Sequence, residues 1–129
     1  MGWMFLSVGL GGALGDISRY LISLWITGTF GQPGRMAMLS VNVSGSLMMG
    51  MMVALLTVSS LFSDLVRGFV MIGFLGALTT FSSFALDAHS FFQRVEMLAG
   101  ELYLLLCVCL SVAGFYVGLV VVRLIAGQR

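Results

Sequence analysis

The chain has 129 residues, of which 60% are hydrophobic and only 9% charged, and its mean hydropathy is +1.11. A soluble domain of this length carries about a quarter charged residues, so the composition excludes one and describes an all-α integral membrane protein in a lipid bilayer. The net charge of +1, with every cation an arginine, gives no reason to expect nucleic acid or an acidic partner.

A crossing takes about 20 apolar residues, which leaves room for a single transmembrane domain of four helices and short loops. The first span is expected over about 3–26. Its start, Met1-Gly2-Trp3-Met4, lacks a basic region and a cleavage site, so it reads as a span and not as a removed signal. Myristoylation is rejected because Leu6 stands at the expected hydroxyl position. Gly11, Gly15 and Arg19 share one face, and Gly11-x-x-x-Gly15 is a small-residue packing stripe. Asp16 and Arg19, three apart, are placed to pair. Two readings stay open for them: a snorkelling pair at the interface, or a role at the mouth of a pathway.

A glycine-rich turn with the sole proline, Pro33, leads to the second span, over about 36–60. Asn42, Ser46 and Gly50 lie on one face. An asparagine at bilayer depth needs a hydrogen bond, so that face turns inward. Asn42-Val43-Ser44 matches the glycosylation pattern but lies inside the span and is discounted. Met48, Met49, Met51 and Met52 read as adaptable packing side chains.

After Phe62-Ser63-Asp64 the third span runs over about 65–92, longer than one crossing needs. It holds Gly73–Phe84, a stretch with two glycines, two threonines, two serines and three phenylalanines. Lipid-facing helices have no use for that mixture. The extra length points to a break from Gly76 to Thr80, where helix propensity is low. Freed carbonyls there coordinate a cation, and hydroxyls bond an anion. The competing reading is a continuous helix with threonines bonded back to the preceding turn. Asp87, one turn beyond Ser83 and Phe84, is placed to cap or hydrate the polar stretch. His89 has no ligand partner at useful spacing and reads as interfacial rather than a proton relay.

The fourth span is expected over about 97–126. Tyr103, Cys107, Ser111 and Phe115 form one stripe, and Gly114-x-x-x-Gly118 a second packing stripe. Cys107 and Cys109 point to different sides, which argues for apolar packing over a disulfide or a metal site.

Four spans place Arg67, Arg123 and Arg129 on the side of the termini and Arg35 and Arg94 opposite, with Arg19 close to the latter. So flat an arginine balance leaves orientation unspecified. Such a chain can insert both ways and pair antiparallel with itself, so a dual-topology homodimer is the expectation. No catalytic constellation is present, so an enzyme is not expected. The polar residues of the spans are neutral donors: Asn42, Ser44, Ser46, Thr79, Thr80, Ser82, Ser83, Tyr103 and Ser111. They suit coordination of a small ion. Phe81 and Phe84, three apart, either pack or offer positive ring edges to an anion.

Taken together, Gly11-Gly12-Ala13-Leu14-Gly15 with Arg19-Tyr20, Asn42 with Gly45 and Gly50, and the block from Gly73 to Phe84 resemble the fluoride ion channels of the CrcB (Fluc) family. The resemblance covers all four spans. It implies a bacterial inner-membrane, multi-pass channel that passively exports fluoride, as an antiparallel dimer with two pores. By the same resemblance Asn42 is the pore asparagine, and Phe81 and Phe84 line the fluoride path with Thr80 and Ser83. Tyr103 and Ser111 belong to the polar track, Arg19 matches the first-helix arginine, and the carbonyls of Gly76 and Thr79 hold a central structural sodium ion. Two positions depart from the family pattern: Cys107 stands where a serine is often found, and Asp87 where a glutamate is usual. Two rivals predict otherwise. A small dual-topology multidrug transporter exchanges protons through an embedded first-helix glutamate, whereas the acid here is Asp16, near an arginine. A non-transporting assembly subunit passes no ion.

Overall fold

Backbone polar groups at bilayer depth must bond within their own segment, and in the computed structural model every described element is helical. The structure describes residues 1–31, 35–58, 62–93 and 97–127. The expected turn at Pro33, the end of the second span at 59–60, and Arg94, Glu96 and Arg129 lie outside them.

Helix α1 covers Gly2–Phe30 and ends where Gly31 takes φ 59°, its N–H bonded to the Thr27 carbonyl at 3.1 Å. Only glycine enters that left-handed conformation without penalty. Helix α2 is Arg35–Val58. The Ser63 hydroxyl then caps α3, Asp64–Arg67, by accepting the Val66 N–H at 3.4 Å. The chain runs on through π-helical turns, Gly68–Leu75, into the single turn α4, Gly76–Leu78. Thr79 is extended, at φ −95° and ψ 116°, and α5 begins beyond it as Phe81–Gln93. Helix α6 is Met97–Ile125.

Among the described residues, Met36–Thr57, Asp64–Ser90 and Leu98–Ile125 are long and apolar enough to cross a membrane. Helix α1 has 29 residues, about 43 Å at 1.5 Å per residue, but is not one of these candidates. Its centre carries Gly11, Gly12, Gly15, Asp16 and Arg19, which dilute its hydropathy.

Lipid gives no hydrophobic drive for helices to associate, so close backbone approach has to hold them. The glycines supply it. A Cβ on Gly11 or Gly15 would stand under 3.0 Å from the carbonyl oxygen of Phe69 or Phe74, and one on Gly73 equally close to that of Val8. These three positions seat α1 on the π-helical segment. Gly50 meets the Phe115 carbonyl and Gly118 the Leu47 carbonyl in the same way. They join α2 to α6, the helix pair in most extensive contact among the described residues. Both glycine stripes on α1 and α6 therefore lie at helix contacts. Val41, Leu75 and Leu78 form one buried apolar cluster, and Met38, Phe84, Tyr103 and Cys107 another. Outward-facing residues such as Leu10, Leu14, Ile17, Leu105 and Leu124 are exposed apolar surface suited to lipid.

Candidate functional site

The site grows out of the interruption between α4 and α5. Thr79 bends back on itself: its hydroxyl donates to the Leu75 carbonyl at 2.8 Å, and its N–H reaches the same oxygen at 3.1 Å. The back-bonding expected of a continuous helix is thus present at Thr79, yet the helix still ends there. The next N–H, of Thr80, donates to Oδ1 of Asn42 on α2 at 3.2 Å. In a continuous helix that N–H would bond the Gly76 carbonyl, which is left without it. Gly45 on α2 packs against the Thr79 methyl with no room for a Cβ. Asn42 and Gly45 together therefore fix the interruption onto α2.

Beside it opens a cleft of about 370 Å³ between α2, α6 and the start of α5. Its polar lining is Asn42, Ser46, Thr79, Thr80 and Ser111; its apolar lining is Phe81, Phe84, Cys107, Val108 and Val112. Among the described residues no acidic or basic side chain lines it. Among the described residues the Asn42 amide nitrogen has no hydrogen-bond partner, so it remains a free donor in the cleft wall. The Thr80 and Ser82 hydroxyls are 2.9 Å apart. The rings of Phe81 and Phe84 lie 5.2 Å apart at 54°. Their environments differ sharply: Phe81 is 76% exposed and Phe84 5%. Phe84 is also a packing residue, clamped against Met38, Tyr103 and Cys107.

Of the residues singled out in the sequence, the cleft gathers Asn42, Thr79, Thr80, Phe81, Phe84 and Ser111. Tyr103 is outside its lining. Its ring stacks behind Phe84 at 5.9 Å, and its hydroxyl donates to Oδ2 of Asp87 at 3.4 Å. Ser83 turns toward α1 and accepts Nη1 of Arg19 at 3.5 Å. Arg19 is ion-paired through Nη2 with Asp16. Gly76 is exposed, one turn before Thr80. His89 lies 3.1 Å from the Gln93 amide nitrogen. Among the described residues no three His, Cys, Asp or Glu side chains gather at a metal site.

Four lining residues are not among the pore residues that the resemblance implies: Ser46, Cys107, Val108 and Val112. Ser46 shares the face of Asn42, and Cys107 the stripe of Ser111, so helical spacing signals both. Val108 and Val112 look like any lipid-facing pair, and nothing in the sequence marks them.

Residues 6–119 match the family described as CrcB-like protein, Camphor Resistance (CrcB). The chain is 38% identical over 118 residues to the fluoride-specific ion channel FluC of Rhizobium etli strain CFN 42, covering 92% of this chain and 94% of that one. It is 40% identical over 119 residues to the protein of the same name from Rhizobium etli strain CIAT 652, covering 92% and 95%. Against fluoride-specific ion channel FluC 1 of Nitrobacter hamburgensis the identity is 34% over 126 residues, covering 97% and 100%.

Proposed function

We propose, from the premise that this chain belongs to the CrcB family, that it is a passive fluoride-selective channel. The single observation that carries the reading is the cleft. It offers neutral donors from Asn42, Ser46, Thr80 and Ser111 alongside the rings of Phe81 and Phe84, with no charged side chain among the described residues that line it. Fluoride is small and strongly hydrated. A pore that passes it must replace lost water with donors that bind firmly enough to admit the ion and weakly enough to release it. A fixed cation would trap the anion, and a carboxylate would repel it. Amide and hydroxyl hydrogens, with positive ring edges, avoid both extremes.

The physiological logic is that of a weak acid. Hydrogen fluoride crosses a bilayer as a neutral molecule and ionises in a more neutral cytosol, where the anion is trapped. A passive pore in the bacterial inner membrane lets the anion leave down its gradient. An embedded carboxylate, which a proton-coupled multidrug exchanger requires, is missing from the cleft lining.

The working unit we propose is an antiparallel homodimer of four-span chains with two pores. A sodium ion sits where the two interruptions meet. What supports the cation is the chemistry of its donors: the Gly76 carbonyl, deprived of the Thr80 N–H, and the Thr79 carbonyl beside it. Backbone carbonyls suit a hard cation without any carboxylate. A label fused to the C-terminus would appear on both membrane faces; label on one face only would refute the antiparallel pairing.

The deciding experiment is fluoride efflux from liposomes holding the purified protein, read with a fluoride electrode, with chloride as the control ion. Rapid fluoride release with chloride retained is expected. No release above protein-free liposomes would refute the reading and leave the non-transporting subunit.

A further inference from the structure

We propose that Asp16 is a counter-charge that weakens the attraction of Arg19 for the permeating anion, and so sets the fluoride concentration at which the pore half-saturates. The inference rests on the channel reading and adds a residue to it. Four observations carry it. Arg19 reaches from α1 to α5, where its Nη1 donates to Ser83, the neighbour of the cleft residue Phe84. Its other terminal nitrogen, Nη2, is ion-paired with Asp16. Its Nε is buried with no partner among the described residues. Asp16 itself is 64% exposed, against 21% for Arg19.

The two contacts of Arg19 use different nitrogens, so the bond to Ser83 does not depend on the ion pair. Nor does the position of its backbone. Gly15, one turn before Arg19, is seated against the Phe74 carbonyl with no room for a Cβ, which fixes this part of α1 on the third span. Removing the carboxylate therefore leaves the guanidinium in place and exposes its charge. A net positive charge beside a low-dielectric passage raises the local concentration of a monovalent anion. With the carboxylate present, the pair is close to neutral and the attraction is largely cancelled.

The opposite role, Asp16 as the clamp that holds Arg19 in position, predicts the reverse sign. If Asp16 positions Arg19, its loss lowers flux at every fluoride concentration.

The test compares wild type, Asp16→Asn and Asp16→Glu, each purified and reconstituted at equal density, with initial fluoride efflux measured against internal fluoride. Asp16→Asn keeps the size of the side chain and removes its charge. It is expected to lower the half-saturating fluoride concentration by roughly two- to tenfold at low ionic strength. The gain should shrink in about 1 M of an impermeant salt, where screening acts within about 3 Å. Asp16→Glu restores the charge and with it the wild-type half-saturation. Unchanged half-saturation in Asp16→Asn, a gain that salt does not touch, or a uniform fall in flux would each overturn the proposal. Asp16→Ala is a second neutral variant in case the asparagine folds poorly. Absence of efflux from wild type and variants alike overturns the channel reading instead, so the two failures are distinguishable.

Discussion

Replacing Asn42 by aspartate separates two jobs that the asparagine holds at once. Its Oδ1 accepts the Thr80 N–H at 3.2 Å, which secures the helix interruption. Its Nδ2 has no hydrogen-bond partner among the described residues, and Asn42 lines the cleft. Aspartate keeps an acceptor of the same length for Thr80 and gains charge on it, so the interruption survives. What it loses is the donor, and what it adds is a negative charge facing an anion. At about 4 Å with an effective dielectric constant of about 20, two like unit charges repel by about 4 kcal/mol. At about 1.4 kcal/mol per decade this is roughly a thousandfold loss of flux. Asn42→Ala removes both jobs. It leaves the Thr80 N–H without a partner at about 1–3 kcal/mol, so it should reduce thermal stability as well as flux. The assay is fluoride efflux from liposomes, beside a detergent-solution melting curve for each variant. Asn42→Asp should conduct about a thousandfold more slowly. Wild-type flux in Asn42→Asp would refute the assignment of Nδ2 to the anion, and a wild-type melting temperature in Asn42→Ala would refute the assignment of Oδ1 to Thr80.

Phe81→Ile and Phe84→Ile should both reduce fluoride efflux, but only Phe84→Ile should also reduce stability, because Phe84 is 5% exposed and Phe81 76%. Equal flux in all three proteins would remove the rings from the path. Gly15→Val and Gly50→Val each push a side chain into a backbone carbonyl and should cost about 1–3 kcal/mol or more in a melting curve. Gly9→Ala, with nothing within 4 Å of the new Cβ, should stay within about 0.5 kcal/mol. Exchange of sodium for a bulky organic cation should lower flux or the recovery of dimers, and Thr79→Val should retain that sodium dependence because it keeps the carbonyl. Indifference of the wild-type protein to sodium would refute the central cation.

The glycine spacings were the most legible part of the fold. Gly11, Gly15, Gly50 and Gly118 pack backbone to backbone because, in lipid, small residues at spacing four are the available means of close approach. The polar stretch after Gly73 was legible for a related reason: hydroxyls at bilayer depth need partners, and few arrangements supply them. Less legible was the division of labour within it. Spacing put Ser83 beside Phe84 and Tyr103 on a stripe with Ser111. It did not reveal that Ser83 turns to Arg19 while Tyr103 backs Phe84 and reaches Asp87. Those choices depend on how α5 rotates on α6, which the extended residue Thr79 sets. The π-helical turns of Gly68–Leu75 had no sequence signal either. A π turn shares the composition of the α-helix around it, and the packing of Gly68 and Gly73 on α1 accompanies it without marking it in the sequence.

The open side of the cleft bears on what else the protein needs. Phe81 lines the cleft and is nonetheless 76% exposed, and the Gly76 carbonyl lacks its helical donor on an exposed turn. Lipid satisfies neither. A carbonyl without a partner in hydrocarbon costs several kcal/mol, and acyl chains against the cleft would strip the anion of water without replacing it. Water on that side would meet the carbonyl's need but would let other hydrated ions compete for the passage. The proposed second, oppositely oriented copy would resolve both. Its own interruption would bring a second pair of carbonyls to share one cation, and its apolar helices would shut the cleft from lipid. In that proposed dimer a single substitution acts twice, so linked dimers carrying one Asn42→Asp subunit should keep about half the wild-type flux if the two pores conduct independently. Complete loss of flux in that linked dimer would refute the two-pore arrangement.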